Sequence, residues 1–147
     1  MQRVILLVED NPDEIELTLI GLQRTRVTMP IVSLRDGVDA LQYLRREAAY
    51  ANRPDIDPAV VILDVRLPKL SGLDVLRVIR SDKRLRCIPV VFLSSSRNPL
   101  DVTESYRLGA NAYIVKPYEA DQFMEAVKQL GEFWGVLNEV PGGECRF

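Results

Sequence analysis

Four strand-like runs in this sequence end on residues that can do chemistry together. Val4-Ile5-Leu6-Leu7-Val8 stops at Glu9-Asp10, and Ala59-Val60-Val61-Ile62-Leu63 stops at Asp64. Pro89-Val90-Val91-Phe92-Leu93 stops at Ser94-Ser95-Ser96, and Ala112-Tyr113-Ile114-Val115 stops at Lys116-Pro117. In open α/β sheets ligands bind beyond the carboxyl ends of the strands, so a site is expected there. If the sheet sets these four strands side by side, three carboxylates, a hydroxyl and one ammonium converge. Three carboxylates beside a single lysine repel one another, and a divalent cation is the usual remedy. Hard oxygen ligands favour Mg2+, which keeps several waters and pairs with phosphate. Lys116 and Ser94 are donors of the type that neutralise phosphoryl oxygens. A carboxylate can itself be the nucleophile and form an acyl phosphate. The chemistry expected is phosphoryl transfer onto an aspartate. Taken alone, each piece has a plainer reading as a helix cap, a turn residue or a polar loop. Their joint occurrence, in this order, carries the argument.

The elements that must hold these groups can be read from periodicity. The strand before Asp64 is an unbroken apolar run, mostly β-branched, as in a parallel strand buried on both faces. Pro68 and Gly72 mark the loop after it. Asn11-Pro12 supplies a cap and a first-turn proline for a helix carrying Ile15, Leu19 and Leu22. Residues 30–34 read as a further short strand, and Asp36 caps a helix with Val38, Leu41 and Leu44 on one face. A polar, proline-containing loop over residues 50–58 precedes the Asp64 strand. Helices are expected near 73–81 and 100–108, the second closed by Gly109, and a long last one over 119–134. Five strands alternating with five helices imply an α/β fold: a doubly wound parallel sheet covered on both faces, with right-handed crossovers.

Length and composition set bounds on function. A chain of 147 residues, 47% hydrophobic and 27% charged, suits one ordinary globular domain. A net charge of −2 gives no electrostatic reason to expect nucleic acid or an anionic membrane as partner. With no histidine, the commonest general base and metal ligand is missing, and a phosphohistidine protein is excluded. Cys87 and Cys145 lack metal-site spacing, so a reduced compartment is expected, with Cys87 a small buried hydrophobe. The first apolar run is too short for a signal peptide and no stretch is long enough to span a bilayer, so cytoplasm is expected.

Residues 3–130 resemble the receiver domain of two-component response regulators. The motifs that carry the likeness are Val8-Glu9-Asp10-Asn11, Leu63-Asp64-Val65-Arg66-Leu67-Pro68 with Ser71-Gly72, Phe92-Leu93-Ser94-Ser95, Gly109-Ala110 and Tyr113-Ile114-Val115-Lys116-Pro117. The resemblance implies a flavodoxin-like sheet of order 2-1-3-4-5. It makes Asp64 the phosphoacceptor, assisted by Ser94 and Lys116. Asp10, Asp64 and the backbone carbonyl of Arg66 would ligate Mg2+, with Glu9 acting through a water. Lysine–proline bonds at this position are cis in the family, a state only proline makes accessible. Ser94 and Tyr113 would be the switch pair, the hydroxyl moving to the phosphoryl group and the ring filling the vacated space. Arg66 and Ser96 stand where family side chains flank the attacking water, so they are expected to tune the phosphoryl lifetime. A dehalogenase-type phosphohydrolase also uses an aspartyl phosphate, but its two acids lie one residue apart whereas Glu9 and Asp10 are adjacent. A pseudo-receiver that never carries phosphate is the other alternative, and the complete acid, hydroxyl and lysine set argues against it.

Within the receivers, the chain is similar to small single-domain regulators of phytochrome-type histidine kinases. Val8-Glu9-Asp10-Asn11-Pro12, residues 36–46, the polar loop before the Asp64 strand, residues 106–113 and Phe133-Trp134 carry this likeness. It implies a receiver over residues 1–134, a short tail over 135–147 and no output domain. A sensor histidine kinase is the implied partner. In the last helix, Phe123, Val127, Leu130, Trp134 and Leu137 repeat at alternating spacings of four and three, which is a heptad seam. The first three are expected to pack on the sheet. Phe133, Trp134 and Leu137 lie past the normal end of a receiver and are expected to form a homodimer contact.

Overall fold

The computed structural model describes residues 2–141. Its five strands are β1 (Ile5–Val8), β2 (Ile31–Leu34), β3 (Val60–Leu63), β4 (Val90–Ser94) and β5 (Ala112–Val115). All pair in parallel, in the order β2-β1-β3-β4-β5. The three central strands are buried along their whole length, which is why they read as continuous apolar runs. The edge strands β2 and β5 are only partly covered.

Five helices alternate with the strands: α1 (Pro12–Gln23), α2 (Gly37–Arg45), α3 (Gly72–Ser81), α4 (Pro99–Arg107) and α5 (Ala120–Glu132). Four of them start on a side-chain cap. Asn11 Oδ1 accepts from Asp13 N at 2.9 Å and Glu14 N at 3.2 Å, with Pro12 in the first turn. Asp36, Ser71 and Asn98 do the same for α2, α3 and α4. Such a cap contributes about 1 kcal/mol by satisfying an orphan backbone donor. The two faces of the sheet build separate cores. Leu6, Val8, Val61, Leu63 and Phe92 pack on α2 and α3, whereas Ile5, Leu7, Val60, Ile62 and Leu93 pack on α1 and α5. Alternation along each strand sends neighbouring side chains to opposite layers.

Several expectations are revised here. α5 ends at Glu132, and the chain continues through one wide π-turn, Phe133–Leu137. The heptad seam therefore stops short. Phe123, Val127 and Leu130 are buried on the sheet, Trp134 is half-buried against the same core, and Phe133 and Leu137 are exposed. Cys87 is not a free buried thiol but is disulfide-bonded, and Cys145 lies outside the described residues. The loop before β3 is polar yet tied down. Arg53 donates to the carbonyls of Tyr43, Leu44 and Ile56 and stacks over the Tyr43 ring at 4.4 Å.

The loop that follows β3 is clamped by the first residue of α3. Gly72 N donates to Val65 O at 2.8 Å, and a Cβ on Gly72 would stand 1.9 Å from the Asp64 carbonyl oxygen. Only hydrogen fits. Gly72→Ala is expected to push α3 off the end of β3 and to cost about 1–3 kcal/mol of stability, as overpacking does. A urea midpoint equal to that of the wild type would refute this.

Candidate functional site

The parallel register brings the polar strand ends to one level. Val8 is paired with Leu63, so Glu9 and Asp64 leave adjacent strands together. Ser94 is paired with Val115, so Lys116 follows one residue beyond. Backbone bonds lace this edge: Glu9 N to Leu34 O at 3.0 Å, Asp64 N to Val8 O at 3.3 Å, and Lys116 N to Ser94 O at 2.8 Å.

At the centre of the edge lies the buried Lys116 ammonium. It donates to Asp64 Oδ2 at 2.6 Å, to Glu14 Oε2 at 2.5 Å, and to Glu9 Oε1. All three of its protons are thereby used. Burial alone would pull the lysine pKa down, but the bonds to Asp64, Glu14 and Glu9 outweigh it and raise the pKa above its ordinary value. Glu9 is buried as well. Its other oxygen accepts from Asp10 N at 2.8 Å and Asn11 N at 3.2 Å. Asp64 Oδ1 accepts from Arg66 N at 3.3 Å, so both carboxylate oxygens of Asp64 are partnered.

The structure brings Glu9, Asp64 and Lys116 into direct contact, with Ser94 buried at the end of β4. Ser94 Oγ accepts from Ser96 N at 3.2 Å. Ser96 Oγ donates to Asp101 Oδ2 at 2.5 Å. Asp10 is exposed and stands outside the carboxylate group, and the Arg66 side chain points to solvent. The Tyr113 ring lies 5.8 Å from that of Phe92, and its hydroxyl donates to Ser96 O at 2.9 Å, so the side chain is turned inward. The Lys116–Pro117 bond is trans, since no described peptide bond is cis. Sequence offers no way to see this, because cis and trans differ by only about 0.5–1 kcal/mol before proline.

Glu14 is the site residue that the strand-end reading missed. It sits in the first turn of α1, whose start above the strand ends follows from the Asn11 cap. The usable signal is an acidic residue three positions after that cap. Glu9, Glu14 and Asp64 each offer a carboxylate oxygen, all within 4.8 Å of one another. This is a hard oxygen set of the kind that holds a divalent cation.

A burial-driven shift gives a testable consequence. Burial pushes Glu9 up to about 8; the Lys116 hydrogen bond works against this, and the Glu14 and Asp64 carboxylates add to it. Without a cation, the folded protein then holds a proton on Glu9 that the unfolded chain, near 4.5, has already released. Extra protons on the folded state mean that stability falls as pH rises. The contribution is whole below about 4.5 and disappears as pH climbs through about 8. In chelator-treated protein the urea midpoint is expected to drop across that window, and Glu9→Gln should flatten the drop. A wild-type profile without slope contradicts the shift.

Comparison with known proteins gives a consistent picture. The family model described as response regulator receiver domain matches residues 5–128. The chain is 36% identical over 132 residues to response regulator Rcp1 of Synechocystis, covering 90% of this chain and 88% of that protein. The Mn2+-bound structure of Rcp1 superposes with a TM-score of 0.89, covering 95% of this chain and 99% of that one. The phosphorylated cyanobacterial phytochrome response regulator RcpA matches with 41% identity and a TM-score of 0.90, over 97% and 100% of the two chains. The bacteriophytochrome response regulator AtBRR shares 51% identity, with a TM-score of 0.75 over 95% and 99%.

Proposed function

This chain belongs to the response regulator receiver family, and on that premise we propose that Asp64 accepts a phosphoryl group from a sensor histidine kinase. The observation that carries the reading is the buried Asp64 carboxylate at the end of β3, with Lys116 Nζ 2.6 Å from Oδ2. A carboxylate oxygen attacks phosphorus, the bond from phosphorus to the donor's imidazole nitrogen breaks, and the imidazole leaves with that electron pair. Lys116 then donates to the phosphoryl oxygens and offsets their charge. RcpA, a relative of similar length, has been obtained phosphorylated. The names of RcpA and AtBRR point to a kinase of the phytochrome type.

The cation we assign is Mg2+, held by Asp64, the Arg66 carbonyl and Asp10, whose exposed side chain would have to turn in from solvent, with Glu9 acting through a water. Bound there, it would neutralise carboxylate and phosphoryl charge together. The phosphoryl group adds nearly two negative charges and three acceptor oxygens. Ser94 Oγ is well sited to turn from Ser96 N toward it. That rotation would loosen the Ser94–Ser96 segment, whose Ser96 carbonyl also receives the Tyr113 hydroxyl. Output is then a shift in a two-state equilibrium of the α4–β5–α5 face, with protein contact as its readout. Arg66 and Ser96 tune how long the phosphoryl group lasts. The protein acts in the cytoplasm as a signalling module and not as a general enzyme; no helix among the described residues is long and apolar enough to cross a membrane.

Intact mass after incubation with Mg2+ and acetyl phosphate tests the acceptor. One added phosphoryl group is expected in the wild type and none in Asp64→Asn. Equal adducts on both proteins would remove Asp64 from the role, and no adduct with acetyl phosphate or beryllofluoride would favour the pseudo-receiver.

We also propose a homodimer contact centred on the exposed Phe133 and Leu137, flanked by the half-buried Trp134. Exposed large apolar residues grouped on one turn are a common mark of an interface. Leu137→Glu is expected to convert a dimer to a monomer by light scattering. A wild type that runs as a monomer at high micromolar concentration would dispose of the contact.

A further inference from the structure

We propose that Glu14 is a positioning residue that holds the Lys116 ammonium in the unmodified protein and must yield that donor before a phosphoryl group can be bound. This rests on the reading of Asp64 as phosphoacceptor. The argument begins with helix geometry. Glu14 is the third residue after the Asn11 cap, where a glutamate ordinarily bends back to accept from the backbone N–H of the cap residue. In this protein that N–H already donates to Glu9 Oε2, at 3.2 Å. Relieved of the capping bond, the Glu14 side chain reaches across the strand ends to Lys116 Nζ at 2.5 Å.

The three carboxylates on Lys116 are not equivalent. The side chains of Glu9 and Asp64 are 5% and 9% exposed, whereas that of Glu14 is 29% exposed. An ammonium has three protons and all are taken, so a phosphoryl oxygen can gain one only if a carboxylate lets go. Asp64 is the group being modified, and Glu9 is fixed by two backbone donors and burial. Glu14 alone has water to retreat into at the mouth of the site. Its departure also removes a negative charge from the path of an anionic donor, so both the hydrogen bond and the repulsion act in the same direction. Glu14 thus restrains phosphorylation until Lys116 is exchanged from carboxylate to phosphoryl group.

Two variants separate reach from charge. Glu14→Asp keeps the charge but is one methylene too short to hold Nζ. Glu14→Gln keeps the length and gives up the charge, leaving a weaker neutral acceptor. The first readout is the 15N–1H signal of the Lys116 ammonium in metal-free protein, which does not depend on phosphorylation and is expected to shift or broaden in both variants. The second is the phosphorylation rate with acetyl phosphate at saturating Mg2+. Release of a charge-assisted hydrogen bond predicts a rise of about threefold or more in both. The third is the Mg2+ dissociation constant by calorimetry, expected to weaken in Glu14→Gln and to stay near the wild-type value in Glu14→Asp. Residue 14 acting only in the helix would move melting temperature and none of these. An unshifted Lys116 signal, or rates within twofold of the wild type in both variants, overturns the proposal. If the wild type takes no phosphoryl group while the Lys116 signal shifts, the phosphoacceptor reading has failed and the exchange falls with it, leaving only the contact.

Discussion

One buried ammonium organises the functional end of this protein. Lys116 sits among Glu9, Glu14 and Asp64, with its positive charge facing three potential negative ones. Buried ions are tolerated only when paired and hydrogen-bonded, and breaking such a set costs about 3–5 kcal/mol. The arrangement is nonetheless incomplete as electrostatics. A single lysine cannot balance three ionised carboxylates, and burial, with the Glu14 and Asp64 carboxylates adding to it, keeps a proton on Glu9 up to about 8. Excess negative charge on converging carboxylate oxygens is also what attracts a divalent cation.

The scaffold serves this cluster by keeping its backbone rigid. β1, β3 and β4 are buried on both faces, so the residues that follow them have little freedom to drift. Gly72 lets α3 start directly against the carbonyl of Asp64, and Gly37 lets the start of α2 approach the Leu70 carbonyl almost as closely. The loop carrying Val65 and Arg66 is thereby gripped between two helix ends. The Asp64 carboxylate is therefore held on a fixed strand end, which limits how far it can drift from the groups that meet it.

The other side of the site is held more loosely. β5 is a half-covered edge strand, and α4 buries only Ser105 while leaving Leu100 and Tyr106 exposed. Ser96 connects the two regions: its carbonyl receives Tyr113, its hydroxyl donates to Asp101 at the start of α4, and its amide donates to Ser94. Asp64 therefore lies between a rigid core on one side and a more weakly packed element on the other, where local opening costs less.

The sequence by itself determined the sheet, the order of its elements and the residue types at four strand ends. Continuous β-branched runs, proline and glycine punctuation and capping residues are local signals, and they need no knowledge of distant neighbours. What the tertiary structure decided was who meets whom. Glu14 belongs to a helix turn, and only the folded placement of α1 delivers it to a lysine 102 residues away. Asp10 stands next to Glu9 in the chain yet faces solvent, because adjacent residues at a strand end point in opposite directions. The heptad spacing beyond Leu130 was real in sequence, but the chain enters a π-turn at Phe133, and of its last members Trp134 stays against the same core while Leu137 is exposed. The inward Tyr113 ring likewise depends on packing between separate segments. Local chemistry is written residue by residue, whereas proximity is a property of the folded chain.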